Sequence, residues 1–204
     1  MKKLITVSRE YGSGGRIIAG MVAEKLGISF YDREIIDMAV EHSGLSREVI
    51  ATAELRAKNI LSYSLASAMS LGDGFSSAPI SINEKLFQAQ SNVVREIAEK
   101  GEGVIVGRCA DYILRDIPGV TNVFFYNELE DKMERCINTY GVPPKTVQSK
   151  IKDINKARAN YYNYHTSRKW GQMENYNICL NTSYISDEDA ADLIVAYMNT
   201  RLYK

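Results

Sequence analysis

The sequence is poor in cysteine, and the cysteines it has form no pattern. Its 204 residues include three, and their odd number, wide spacing and apolar neighbours exclude a disulfide framework and a zinc cluster. No metal-ligating cluster is expected elsewhere in the chain. We expect reduced thiols that pack as small core residues, at Cys109, Cys136 and Cys179.

The sequence also lacks an excess of charge and a long hydrophobic run. Lys and Arg total 25 and Asp and Glu total 25, a balance that gives no general attraction to nucleic acid or to an anionic membrane. The apolar run near the first residue is too short for a signal peptide, and no segment approaches a membrane span. The sequence predicts a cytoplasmic protein without nucleic-acid or membrane partners, in which any anion site is local. Nothing in the pattern indicates an oligomeric state.

What the chain does have is a glycine-rich stretch at 8–16, SREYGSGGR. It follows an apolar segment at 4–7 and precedes a helix-periodic segment, which predicts a strand, a turn and a helix N-terminus. Glycines permit left-handed backbone angles and close approach to a ligand, and the first N–H groups of a helix carry partial positive charge. We therefore expect a phosphate site here, made of Gly12, Ser13, Gly14, Gly15 and Arg16. The alternative is a tight turn that binds no ligand.

The stretch comes close to the P-loop pattern G-x-x-x-x-G-K-[ST] without satisfying it. With Gly14 on the last glycine, Gly15 stands at the lysine and Arg16 at the hydroxyl residue. With the alignment shifted by one, Arg16 stands at the lysine and Ile17 at the hydroxyl residue. Neither alignment provides a hydroxyl for magnesium.

Apolar segments and helix-periodic segments alternate along the rest of the chain. Strands are predicted at 3–8, 28–31, 103–107, 120–126 and 176–181. Helices are predicted between them, with starts marked by Asp32, the capping box at 81–84, Asn127, Pro143-Pro144 and Ser186. This alternation predicts one domain over residues 1–204, with three α/β/α layers around a parallel sheet. Residues 45–80 interrupt it, as an inserted lid or substrate flap would.

Polar residues occur at the ends of predicted elements. Arg108 follows the third strand at the carboxyl edge of the sheet, where ligands bind in open α/β sheets. Asp32 either contacts a ligand or caps the next helix. Arg158 lies on the apolar stripe of the helix after the two prolines, as an inward-facing charge or as a side chain that reaches solvent. The aromatic residues at 161–170 either stack a base or pack a helix–loop junction.

Together these residues resemble the cytidylate kinase-like family of P-loop nucleoside monophosphate kinases, over nearly the whole chain. The segments that carry the resemblance are SREYGSGGR at 8–16, FYDR at 30–33, VGR at 106–108, KAR at 156–158 with Tyr161 and Tyr162, and LNTS at 180–183.

The resemblance implies a P-loop fold with an acceptor-nucleotide flap at 45–80 and a lid at 143–172. It implies a kinase that transfers the γ-phosphoryl group of ATP, with Mg²⁺, to a nucleoside monophosphate, with CMP or dCMP favoured. By the same resemblance Asp32, Arg33 and Arg108 bind the acceptor. It also implies that Arg16, Arg108 and Arg158 are the catalytic residues.

Two other functions stay open at this point. One is a regulatory module that binds nucleotide or phosphate without turnover, because the P-loop lysine and the following hydroxyl are absent. The other is a kinase for another small hydroxyl substrate, because residues 45–80 would shape the acceptor pocket and carry no motif.

Overall fold

The computed structural model describes residues 3–32, 35, 37, 38 and 82–200. In this part the strands are β1 (Lys3–Arg9), β2 (Phe30–Tyr31), β3 (Glu102–Val106), β4 (Val120–Tyr126) and β5 (Ile178–Asn181). The helices are α1 (Gly15–Leu26), α2 (Ile82–Glu99), α3 (Ala110–Ile113), α4 (Leu129–Asn138), α5 (Val147–Thr166) and α6 (Asp187–Thr200). Short 3₁₀ turns lie at Met173–Asn175 and Thr182–Tyr184. No helix among the described residues is long and apolar enough to cross a membrane.

The strands form one parallel sheet in the order β2, β3, β1, β4, β5. β1 lies in the middle because its apolar side chains, Leu4, Ile5 and Val7, are buried on both faces. A strand of this kind needs neighbours on both edges and helices on both faces. The predicted parallel sheet is confirmed, and the glycine-rich loop lies at its carboxyl edge, beside the central strand.

Alternate residues of the central strands pack into two cores, one on each face of the sheet. Ile5 and Val7 pack with α1 and α6, where Ile18 and Ile194 are buried. Leu4 packs into the other core with residues of α2, α3 and α5. Burial of each such aliphatic side chain contributes about 1.5–3 kcal/mol. The predicted three layers are confirmed, and the carboxyl edge rests on two packed cores.

Helices α4 and α5 share a third, smaller core beside the glycine-rich loop. Cys136 of α4 packs with Val147 and Ile151 of α5, and Tyr11 of the loop packs against this cluster. The apolar stripe predicted for α5 is thus buried at its first two positions. The same stripe brings Arg158 to the loop.

Some predicted boundaries are confirmed. β4 spans the predicted residues, Gly27 ends α1 in a left-handed conformation, and the Ser186 hydroxyl accepts a hydrogen bond from the Asp189 N–H at the start of α6. The N-cap prediction for Asn127 is wrong. The side chain of Asn127 is buried and donates to the Gly12 carbonyl instead, so that it supports the loop rather than α4.

Other expectations need correction. α5 begins at Val147 and not at Pro143-Pro144, because a turn separates the prolines from the helix. Leu129, predicted on the inner face of α4, is 37% exposed because it is the first residue of the helix. Periodicity does not predict α3, which has only 4 residues.

The thiol prediction is confirmed in part. Cys109 and Cys136 are free and buried, whereas Cys179 is free and exposed because it lies on β5, at the edge of the sheet. Most of the helix predicted from Ile35, the flap predicted at 45–80 and the start of the capping box at Ser81 lie outside the described residues.

Candidate active site

The loop after β1 has a backbone shape that two of its glycines make possible. Gly12 has φ +89° and Gly14 has φ +75°, both in the left-handed region that favours glycine. A Cβ on Gly12 would lie 2.9 Å from the Lys132 carbonyl oxygen. A Cβ on Gly14 would lie 2.8 Å from Arg135 Cζ. Gly12 therefore excludes a side chain by conformation and by space, whereas a side chain at Gly14 is disfavoured by conformation and would displace the Arg135 guanidinium.

Hydrogen bonds hold the loop's carbonyl groups and leave N–H groups for a ligand. Asn127 donates to the Gly12 carbonyl at 3.3 Å, and the Thr182 hydroxyl donates to the Ser13 carbonyl at 2.9 Å. Within the described part of the chain, the N–H groups of Gly12 and Gly14 donate to no acceptor. Gly14 is also the N-cap of α1 and has no side chain to cap it. Such N–H groups, at a helix N-terminus, suit an anion.

One ion pair fixes the outer side of the loop to α4, and a second joins α4 to α6 beside the loop. Lys132 Nζ lies 2.6 Å from Glu10 Oε2. Arg135 donates twice to Asp187 of α6, at 2.6 and 2.8 Å, directly beside Gly14. Because bidentate pairs are geometrically specific, they hold α4 and α6 against the start of α1.

Four arginines from four separate elements meet beside this loop. Arg9 ends β1, Arg16 lies in α1, Arg108 follows β3, and Arg158 lies in α5. Arg16 Nε lies 2.6 Å from Asp32 Oδ2, and Arg9 Nη2 lies 3.9 Å from Asp32 Oδ1. Arg158 Nη1 donates to the Arg9 carbonyl at 2.9 Å. The sheet topology thus gathers residues far apart in sequence around one carboxylate.

The positive charges of the arginines in this cluster repel one another. Burial and the nearby charges of Arg158, Arg108 and Arg16 lower the pKa of Arg9 to about 9, although Asp32 opposes the shift. Burial also lowers the pKa of Arg158. A guanidinium remains charged at neutral pH under such a shift. A bound anion would relieve both the burial cost and the repulsion, so the site favours anions.

The loop after β3 is held in an unusual conformation where it supplies Arg108. Gly107, Arg108 and Cys109 all have left-handed φ values, +78°, +56° and +54°. The left-handed conformation costs a residue other than glycine about 1–2 kcal/mol. Backbone strain of this kind is common where side chains are aimed at a ligand.

Helix α5 also contacts the glycine-rich loop directly. Asn155 Oδ1 accepts a hydrogen bond from the Tyr11 N–H at 2.7 Å. The Arg158 guanidinium lies 5.9 Å from the centroid of the Tyr11 ring. Arg158 is therefore the inward-facing charge of the two alternatives, and it does not extend into solvent as a surface side chain.

The aromatic residues after Arg158 pack between helices. His165 stacks on Phe87 of α2 at 4.0 Å, and Tyr161 meets the same ring edge-on. Burial lowers the pKa of His165 to about 4. The buried Tyr162 hydroxyl donates to Asp111 at 2.6 Å. These contacts support the packing alternative over base stacking.

All but one of the predicted site residues lie close together in the structure, and the remaining one lies outside the described residues. Gly12, Ser13, Gly14, Gly15 and Arg16 form the loop and the start of α1, and Arg16 bonds directly to Asp32. Arg108 and Arg158 belong to the same cluster. Arg33 lies outside the described residues.

One central residue was missed as a site residue. Arg9 interacts electrostatically with every other charged member of the cluster, but in sequence it is only a charge that flanks the glycines. Its place as the last residue of an apolar strand is the signal that could have singled it out, because the carboxyl ends of strands face ligands.

The side chains around the loop do not form a set of ligands for Mg²⁺. The Ser13 hydroxyl donates to the Glu10 carbonyl and accepts from the Gly15 N–H. The carboxylates of Glu10 and Asp32 are paired with cations. Across the described ranges no three His, Cys, Asp or Glu side chains could together hold a metal ion.

The family model described as "Cytidylate kinase-like family" matches residues 4–184. No curated protein matches the chain.

Solved structures share the fold. An uncharacterized protein from Eubacterium ventriosum ATCC 27560 is 27% identical with a TM-score of 0.74, and the match covers 98% of this chain and 100% of that one. A sugar kinase from Janibacter sp. HTCC2649 is 16% identical with a TM-score of 0.53, covering 98% and 95%. A shikimate kinase from Acinetobacter baumannii in complex with shikimate is 16% identical with a TM-score of 0.52, covering 98% and 95%. The fold is that of the P-loop kinases.

Proposed function

Because the chain belongs to the cytidylate kinase-like family, we propose that it is a kinase that transfers the γ-phosphoryl group of ATP to a nucleoside monophosphate, CMP or dCMP foremost. The observation that carries this proposal is the convergence of Arg16, Arg108, Arg158 and Asp32 on Arg9, beside the glycine-rich loop. A reaction that brings a triphosphate and a monophosphate together needs cations of this number and placement.

On the donor side, the loop binds the ATP phosphates. The N–H groups of Gly12 and Gly14 and the N-terminus of α1 would donate to phosphate oxygens. Arg16 is the exposed member of the cluster, with 58% of its side-chain surface accessible, and it is assigned to the same phosphates. Mg²⁺, which the family resemblance implies, would arrive with ATP, and it would neutralise phosphate charge.

On the acceptor side, the site lies between β2 and β3. Asp32 follows β2 and Arg108 follows β3, and these strands are neighbours in the sheet. Arg108 would bind the acceptor's phosphate, and Asp32 would orient the cations around it. A contribution from Arg33 rests on the family resemblance. The flap at 45–80 is proposed to close this side.

The transfer itself needs positioning and charge neutralisation more than acid–base chemistry. An acceptor phosphate oxygen forms a bond to the γ-phosphorus, the bond from that phosphorus to the β,γ-bridging oxygen breaks, and ADP leaves with the electron pair. Negative charge spreads over the moving oxygens. Arg158, which lies on α5 within the proposed lid at 143–172 and bonds to the Arg9 carbonyl, would neutralise this charge.

A kinase for a small hydroxyl substrate is the second candidate. Asp32 favours it, because a carboxylate among arginines at the acceptor side could accept a hydroxyl proton during transfer. A shikimate kinase and a sugar kinase share the fold, but at 16% identity they support no more than the architecture. A regulatory module without turnover is the third candidate, because the P-loop lysine and hydroxyl are absent.

One assay separates these candidates. Release of ADP from ATP is measured in the presence of Mg²⁺. The acceptors are first CMP, dCMP, UMP, AMP and GMP, and then shikimate and gluconate as hydroxyl acceptors. Acceptor-dependent release with CMP or dCMP supports the proposal, and release with a hydroxyl acceptor alone supports the second candidate. Binding of ATP by calorimetry without turnover of any acceptor would support the regulatory module.

A further inference from the structure

Arg9 spans the space between the proposed donor and acceptor sides. It is the last residue of β1, directly before the glycine-rich loop. At the near end, a Cβ on Gly15 would lie 2.8 Å from Arg9 Cβ, so the side chain leaves β1 under the first turn of α1. At the far end, a Cβ on Gly107 would lie 2.5 Å from Arg9 Nη1. The Arg9 side chain therefore extends from the start of the glycine-rich loop to the end of β3, where its guanidinium lies.

The two glycines keep this path open. Gly15 does not need its glycine identity for its φ, so the space it leaves for Arg9 and for Phe125 accounts for it. Gly107 needs it for φ +78° and also for the guanidinium. A long side chain accommodated by a glycine at each end is held in one position.

The guanidinium is poorly satisfied by protein groups alone. Its Nε is buried and donates to no group among the described residues. Its near carboxylate, on Asp32, is 3.9 Å away and is already paired at 2.6 Å with Arg16. Only 19% of the Arg9 side chain is exposed. Because buried donors are almost always paired, an anion is the partner that this position is built for.

We propose that Arg9, alongside Arg16, supplies the positive charge of the missing P-loop lysine, and that it binds the phosphoryl group in transfer between the loop and the acceptor. This inference rests on the proposed kinase function. It assigns to the end of β1 the charge that a P-loop places on the lysine after its last glycine.

The chemistry of the cluster explains why the residue is arginine and not lysine. Burial and the positive charges of Arg158, Arg108 and Arg16 lower the pKa of Arg9 to about 9, against the opposing effect of Asp32. The same burial and like charges would also lower the pKa of a lysine, which starts from a lower ordinary value than arginine, so a lysine would hold its charge less firmly here. Arginine keeps its charge, and its planar fork matches phosphate oxygens.

The test compares Arg9→Gln, Arg9→Lys and the control Arg95→Gln, which removes an exposed arginine of α2. Binding of ATP and of inorganic tripolyphosphate is measured by calorimetry at pH 6 and pH 8, alongside ADP release with the best acceptor. We expect Arg9→Gln to bind both ligands at least tenfold more weakly and to turn over about 10³- to 10⁵-fold more slowly. Arg95→Gln should match the wild type.

Arg9→Lys carries the readout that a structural role would not produce. Its affinity for tripolyphosphate is expressed relative to the wild type at the same pH, because the ligand itself gains negative charge between pH 6 and pH 8. This relative affinity should be closer to the wild type at pH 6 and closer to Arg9→Gln at pH 8. A relative affinity that is as low at pH 6 as at pH 8 overturns the inference, and this outcome decides even if Arg9→Gln does not fold. The apo form of Arg9→Gln should melt no lower than the wild type, because one of four like charges is gone.

Failure of this inference differs from failure of the kinase proposal. If the wild type turns over an acceptor and Arg9→Gln keeps rate and affinity within threefold, Arg9 has no such role while the kinase stands. If the wild type turns over nothing but binds ATP, and Arg9→Gln loses that binding, the kinase proposal fails and Arg9 keeps its phosphate role. If the wild type binds neither ATP nor tripolyphosphate, both are wrong.

Discussion

A methyl group added to Gly14 should damage the loop far more than a methyl group added to Gly20, a few residues further along α1. Gly14 has φ +75°, where any other L-residue pays about 1–2 kcal/mol. Its Cβ would lie 2.8 Å from Arg135 Cζ and 2.9 Å from Asp187 Oδ1, within the bidentate ion pair. A Cβ on Gly20 meets no heavy atom within 4 Å.

The size of the difference follows from these contacts. Distortion of the half-buried pair between Arg135 and Asp187 costs about 1–2 kcal/mol, so that Gly14→Ala loses about 2–4 kcal/mol of folding free energy in total. Gly20→Ala lies inside a helix and should gain about 0.5–1 kcal/mol. In a chain of this size, these values correspond to a Tm about 5–15 °C lower for Gly14→Ala and about 1–4 °C higher for Gly20→Ala.

The assay is calorimetric melting of both variants, with ATP binding measured in each. Gly14→Ala should also bind ATP at least tenfold more weakly, about 1.4 kcal/mol, because the loop N–H groups shift with the backbone. Gly20→Ala should bind ATP like the wild type. If Gly14→Ala melts with Gly20→Ala and binds ATP normally, the loop is a turn and not a phosphate site.

Three further predictions follow from contacts already described. Arg16→Ala should weaken ATP binding, while Arg158→Ala should lower kcat far more than it raises KM; steady-state kinetics with the best acceptor decides, and the opposite pattern reverses the two roles. His165 has its pKa lowered to about 4, so the stability that its neutral form provides is present above about pH 6.5 and is lost as pH falls toward 4, by at most about 3 kcal/mol. Urea unfolding of His165→Phe, which keeps the stack on Phe87, should show a shallower loss of stability over this range, and a slope equal to that of the wild type contradicts the assignment. Cys179 is the only exposed thiol of the three, so a thiol reagent should label one group quickly in the native protein and all three in denaturant; Cys179→Ser should abolish the fast phase.

The architecture could be predicted because it depends on patterns that are local in sequence. The β4 segment, VTNVFFY, is rich in β-branched and aromatic residues that favour a strand, and its predicted bounds match the structure. Gly27 and Ser186 mark helix ends through their own backbone and side-chain preferences. Such signals need no knowledge of the rest of the chain.

The site could be predicted only where the type of a residue and its neighbours in sequence indicate its role. The glycines of the loop do so, because left-handed φ values favour glycine. The central place of Arg9 does not, since it depends on space that Gly15 and Gly107 leave from two other elements. Nor does the left-handed backbone at Arg108, a residue type that seldom adopts it. Asn127 shows the same limit, because its tertiary bond to the Gly12 carbonyl replaced the local cap that its residue type suggests.

The position of β1 in the middle of the sheet sets the order in which the site can be assembled. Two contacts that hold the loop join residues 144 apart, at Tyr11 and Asn155, and 149 apart, at Arg9 and Arg158. Because ribosomes add about 5–20 residues per second, the loop waits roughly 7–30 s after its own synthesis for these partners. The apolar β1 spends this time without its neighbours, so a chain arrested before α5 can bury part of its core but cannot complete the arginine cluster. The earliest residues to be made therefore gain a defined function only with the last helices, and folding speed is limited by this long-range closure.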